Sequence, residues 1–207
     1  MVKPVIGSVG RFRTEERGIS VFEGLITFPI VLLMLVAMAE FGFAVHQWNQ
    51  TVKAVQIGAR LAVVSEPLAD LTPISNYYTN NGVVGQPPPS GAPTVTCGAG
   101  TSACDATQLN RLVFGSDSTC DPEYGSSRPG ICDFHRGIGP GNLRITYSPS
   151  GLGFVGSPGK PVVTVTLEVR GLRFNLPFLG ALIGVNTMEI PSHPVALTSE
   201  DLSNVNS

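Results

Sequence analysis

Between Ile19 and Val45 the chain is apolar throughout, interrupted by charge only at Glu23 and Glu40. From there to Val64 the apolar residues become periodic. Val45, Trp48, Val52, Val55, Ala59 and Ala62 recur every third or fourth position, while His46, Gln47, Asn49, Gln50, Lys53 and Arg60 take the opposite face. That spacing is the signature of an amphipathic helix. No proline falls between Pro29 and Pro67. One helix from Ile19 to Val64 is therefore expected, roughly 70 Å long at 1.5 Å per residue and longer than a bilayer requires. Residues 19–45 suit a transmembrane segment and 46–65 an extension that must lie against a folded body. Pro29 removes one helical hydrogen bond and is expected to kink the segment.

The rest of the pattern is that of short strands. Residues 65–93, with Pro67, Pro73 and the run QPPPSGAP, read as a turn-rich connector. Residues 94–137 show little periodicity. Beyond them, NLRITYS alternates Leu143, Ile145 and Tyr147 with Arg144 and Thr146. VVTVTLEVRGL alternates Val163, Val165, Leu167 and Val169 with Thr164, Thr166, Glu168 and Arg170. Both have the period of half-buried strands, and the Gly/Pro-rich stretch 149–160 between them permits an antiparallel hairpin. A further strand is expected near Val195–Ser199. LPFLGALIGV, residues 176–185, is too short to cross a bilayer; it reads as a buried turn or short helix, or else as a partly exposed contact with the membrane or a partner. The fold class that follows is α+β, a long N-terminal transmembrane and amphipathic helix packed on a small antiparallel sheet.

Composition sharpens this picture. Charged residues are only 14% of the 207, while 24 Gly and 17 Pro supply many turns, which suits a loop-rich, mostly β body. A net charge of −2 offers no basis for binding nucleic acid. Residues 1–18 set Lys3, Arg11, Arg13 and Arg17 against Glu15 and Glu16, net +2, which leaves −4 for the remainder. A basic segment before an apolar run marks the cytoplasmic flank of a membrane span. The expected organisation is a basic cytoplasmic leader (1–18), a transmembrane helix (19–45), its extracytoplasmic continuation (46–65) and an α+β head (66–207).

Glu23 is the residue this organisation leaves unexplained, because a carboxylate in a bilayer is costly unless it has a partner. A plain anchor gives it no role beyond staying hydrated near the interface. A cleaved secretory signal ending at Ala37-Met38-Ala39 has the A-x-A pattern but would stop a helix that continues past it. A third reading starts from RG followed by ISVFE. Arg17-Gly18 before Ile19 and a glutamate at Glu23 resemble the cleavage site of type IV prepilins. The resemblance implies peptidase cleavage between Gly18 and Ile19, with Glu23 then pairing the new amine of a neighbouring subunit.

The wider stretch is similar to the N-terminal module of TadE-like proteins, minor pilins or pseudopilins of the tight-adherence (Flp) pilus system. The matching features are Gly18, Val21-Phe22-Glu23, Pro29, Glu40-Phe41-Gly42 and Gly58-Ala59-Arg60. The family places an aromatic directly after the glutamate; here Phe22 precedes it and Gly24 follows. The resemblance implies a single-pass bacterial inner-membrane protein with a periplasmic C-terminal domain, taking part in pilus assembly or adhesion. Its implied partners are the prepilin peptidase, the major Flp pilin, other TadE/TadF-like pseudopilins and the inner-membrane assembly platform. The head exceeds what a bulk Flp subunit carries, which points to a minor subunit.

All four cysteines, Cys97, Cys104, Cys120 and Cys132, lie beyond the membrane segment, so two disulfides are expected. Three connectivities are open, and Cys97–Cys104 with Cys120–Cys132 is favoured because both close short loops. A zinc site has only Cys132-x-x-His135 as a fragment. Asp117, Asp121 and Glu123 cluster without EF-hand spacing and read as a solvated loop. His46, His135 and His193 are scattered, and no hydrolase, metalloprotease or phosphate-loop spacing occurs. No enzyme activity and no cofactor are expected. The rival function is an extracytoplasmic binding module, anchored by an uncleaved helix or secreted after a signal peptide.

Overall fold

The computed structural model describes residues 16–116, 118–120, 128–157, 161–184, 187–191 and 193–199. Its first element is α1 (Glu16–Val64), a helix of 49 residues that contains Pro29 and runs without a break through Ala37–Ala39. The chain divides into two compact units. One holds α1 up to Ala44 together with the stretch from Leu176 to 184; the other holds Val45–Asn175 and the stretch from Thr187.

In the second unit the sheet is antiparallel, β1 (Val95–Gly98), β2 (Leu143–Pro149), β3 (Val163–Val169) and β6 (Val195–Thr198) in the order β1-β2-β3-β6. The β2–β3 hairpin pairs Ile145 with Leu167 and Tyr147 with Val165. Its alternating sequence puts Leu143, Ile145, Tyr147, Val163, Val165 and Leu167 inside, each fully buried. Thr146, Thr164 and Thr166 are only partly covered on the other face, the expected consequence of a period-two pattern with one face dry.

The helical layer over this sheet departs from the simple stripe. The buried positions of α1 here are Thr51, Ala54, Val55, Ala59 and Ala62, whereas Val45 stays exposed and Val52 is half-buried. The buried face is thus rotated slightly toward small residues, which let the helix backbone approach closely. Gly58 shows how closely: a Cβ there would lie 2.4 Å from Ile131 Cδ1 and 2.8 Å from Leu167 Cδ2.

Residues 65–93 are not merely a connector. They include α2 (Thr72–Asn81), which begins with Pro73 in its first turn and buries Ile74 and Tyr78. The Asp70 carboxylate accepts from both the amide and the hydroxyl of Thr72, and the hydroxyl chiefly holds its pKa below the usual carboxylate value. Within 94–137 the structure adds β1, α3 (Ala106–Phe114) and the single turn α4 (Ile131–Phe134). Asp105 caps α3 by accepting from Gln108 N at 2.9 Å, and Gly115, at φ 73°, closes it in a conformation few other residues adopt. A small second sheet pairs β4 (Arg173–Asn175) with β5 (Thr187–Glu189). The apolar stretch after β4 contains a short helix, α5 (Leu179–Ile183).

Two local cross-links hold the loops, Cys97–Cys104 and Cys120–Cys132. The chain leaving α1 is pinned from two sides: Leu68 N donates to the Tyr147 hydroxyl at 2.9 Å, and the Leu68 carbonyl accepts from Asp105 N at 2.8 Å.

Candidate membrane and assembly segment

The N-terminal half of α1 is long and apolar enough to cross a membrane. Its most apolar window has a mean hydropathy of 2.3, and none of that window is buried within the protein. Phe22, Leu25, Phe28, Leu33, Met38 and Phe41 are all exposed. A soluble core helix of this hydropathy would cover at least one face, so this surface calls for an apolar environment.

Two carboxylates interrupt it, and their surroundings differ. Glu40 is 8% exposed and accepts a hydrogen bond from Phe178 N at 2.6 Å through Oε1. Glu23 is exposed, and among the described residues its carboxylate has no hydrogen-bonding or ionic partner. One turn on, Thr27 Oγ1 donates to the Glu23 backbone carbonyl at 2.7 Å, a bond that occupies the hydroxyl without touching the side-chain charge. Pro29 sits inside the continuous helix and offers no N–H to the Leu25 carbonyl. Gly18 and Ile19 fall in the first turns of α1, and their side chains lie outside the described residues.

The head presents no assembled reaction centre among the described residues. His193 meets the edge of Trp48 at 4.3 Å between ring centroids. His135 accepts from Gly137 N through Nδ1, and burial lowers its pKa. The Cys132 sulfur is committed to Cys120 and has no thiolate to offer with His135. No group of three or more His, Cys, Asp or Glu is placed to hold a metal among the described residues. Asp117, Asp121 and Glu123 lie outside them. A cavity of about 150 Å³ is lined by Tyr78, Pro88, Leu152 and Phe154 among others, and burial raises the Tyr78 pKa.

Sequence reasoning missed the link between Glu40 and Phe178. The signal was present as a second acidic residue in an apolar run and an orphan apolar stretch far downstream, but nothing in either pattern pairs them.

An exposed apolar helix joined to an α+β body with two disulfides defines a candidate single-span membrane protein with a folded head. Residues 18–60 match the family model described as TadE-like protein, from Gly18 to Arg60 of the Gly58-Ala59-Arg60 triplet. The match covers the apolar segment and the part of α1 that enters the head core, and associates the chain with the Tad pilus machinery in general. No curated protein and no solved structure matches the chain.

Proposed function

We propose that the chain is a minor pilin, or pseudopilin, of a Flp-type pilus, with a structural and assembly role and no catalytic one. It is inserted in the bacterial inner membrane with residues 1–18 cytoplasmic and the head periplasmic. The prepilin peptidase cuts between Gly18 and Ile19, and the Ile19 amine so created meets the Glu23 carboxylate of a neighbouring subunit. The neighbours are the major Flp pilin and other TadE/TadF-like pseudopilins, recruited on the inner-membrane platform.

The observation that carries this reading is the contrast between the two acids in the apolar run. Glu40 has a partner within its own chain, whereas Glu23 is exposed and has none among the described residues. An uncompensated carboxylate at the centre of a spanning helix costs about 3 kcal/mol on insertion scales, less near the interface. A partner supplied by another subunit offsets that cost only in the assembly, which makes Glu23 a selector of register.

Two measurements test it together. The N-terminal residue of protein recovered from membranes should be Ile19. Glu23→Ala should leave membrane insertion intact and abolish incorporation into pili. Insertion and incorporation both unchanged would reduce α1 to an anchor and favour an extracytoplasmic binding module. A terminus at Glu40 would make the chain a secreted protein and end the pilin reading.

A further inference from the structure

Phe178 and Leu182 flank or lie on α5, and they are 67% and 66% exposed. Exposure of this size in adjacent large apolar side chains is unexpected on a water-facing turn. The segment is not loosely attached. Leu176 is 9% exposed, its carbonyl accepts from Gly180 N at 3.0 Å, and the Phe178 carbonyl accepts from Leu182 N at 3.2 Å. The Phe178 amide is held by the Glu40 carboxylate. The same compact unit contains the apolar part of α1, whose Val36 and Ala37 are partly covered on the Glu40 side.

Depth along α1 identifies the occupant. From Ile19, where the apolar run begins, to Glu40 is about 32 Å of helix, close to the thickness of a bilayer's hydrocarbon layer. A layer entered at Ile19 therefore has its far boundary near Glu40. Met38, Phe41 and Phe43, at the same level, are exposed as well, so the apolar surface of α1 continues onto Phe178 and Leu182. We propose that the Phe178–Leu182 turn is seated in the lipid at the periplasmic boundary of the bilayer, and that the Glu40 carboxylate is the anchor that positions it there. This rests on the reading of α1 as a membrane span.

A carboxylate at that boundary then needs no second subunit. Its Oε1 is engaged by a backbone amide of its own chain, and the residue is 8% exposed. The turn acts as an interfacial foot, fixing how far α1 is drawn into the membrane.

The test uses the full-length protein with Trp48→Phe as background, in phosphatidylethanolamine/phosphatidylglycerol vesicles carrying lipids brominated at shallow or deep acyl positions. Leu182→Trp and, separately, Phe178→Trp report the turn, and Phe41→Trp reports α1. Quenching of either turn reporter should reach at least about half that of Phe41→Trp and be stronger with shallow bromines, as an interfacial position requires. Adding Glu40→Ala should lower quenching at the turn while leaving Phe41→Trp unchanged, and Glu40→Gln, which keeps an acceptor, should restore most of it. Water-like emission from both turn reporters beside a quenched Phe41→Trp would overturn the proposal and leave the membrane span standing. Shielding of the turn that develops only in assembled pili would give the surface to a neighbouring subunit, and also overturns it. An unquenched Phe41→Trp would remove the membrane span itself, and this inference with it. Turn quenching that is indifferent to Glu40→Ala would overturn the role of the anchor.

Discussion

Tyr147→Phe removes one oxygen from the centre of the head. The ring is fully buried, and its hydroxyl is the acceptor for the Leu68 amide, which is itself only 1% exposed. Phenylalanine fills the same space, so the cost is that of a buried N–H left without an acceptor, about 1–3 kcal/mol. The pH dependence gives a second, independent handle. Burial, partly offset by the Leu68 amide, pushes the phenol up to about 12 from its ordinary value of 10.0. Below pH 10 the group is neutral in both the folded and unfolded chains and its contribution is whole. As pH rises toward 12 the unfolded chain gives up its proton first, and stability falls. A shift of about 2 units is worth about 2.7 kcal/mol when complete, of which about 1.4 kcal/mol is lost by pH 11. Urea unfolding of the full chain in detergent micelles, followed by circular dichroism, measures both effects. The parent should exceed Tyr147→Phe at pH 7, and the gap should narrow by about 1.4 kcal/mol at pH 11. A variant as stable as the parent at pH 7, or a gap that does not narrow, would refute the reasoning.

Two further perturbations concern the packing of α1 and the loops. Gly58→Val inserts branched bulk where a Cβ already meets Ile131 and Leu167, both fully buried, and should cost about 3 kcal/mol through overpacking despite the better helix propensity; an unchanged thermal midpoint would show that the core yields there. Replacing Cys97 and Cys104 by serine should cost about 2.5 kcal/mol and replacing Cys120 and Cys132 about 3, on loop-closure entropy alone. Denaturant titrations of the two double variants against the oxidised parent check this, and a parent whose stability is insensitive to reduction would contradict it.

The long helix and the central hairpin were legible because each carries its period over many residues: three to four from Val45 to Ala62, two from Leu143 to Val169. The family resemblance rested on spaced features of the same helix. α3 was also written in the chain, with Asp105 as cap, Leu109, Leu112 and Val113 on one face and Gly115 as stop, but Gly-rich and Cys-rich neighbours obscured it. α2 had almost no apolar face to read; its start is set by Asp70, Thr72 and Pro73, and its place by burial of Ile74 and Tyr78. β4 and β5 are three residues each, below the length at which alternation can be recognised. The stretch 176–185 does contain a short helix, with Leu176 buried and Phe178 and Leu182 facing outward. Of the two acids, Glu23 was singled out by its distance from Gly18. Glu40 could be understood only once Phe178, remote in sequence, was placed against it.

β6, the last strand of the main sheet in chain order, forms one edge of that sheet against β3, and Ser199 locks the pairing: its hydroxyl accepts from Val163 N at 3.1 Å and donates to the Val163 carbonyl at 3.0 Å. A ribosome delivers α1 well before this clasp. In an oxidising compartment the two disulfide loops can form as soon as Cys104 and then Cys132 are available, because each closes locally. The sheet cannot finish until Val195–Ser199 arrives to cover the edge of β3. Chain order thus leaves one edge of β3 open until Val195–Ser199 has been made, after both local loops are free to close.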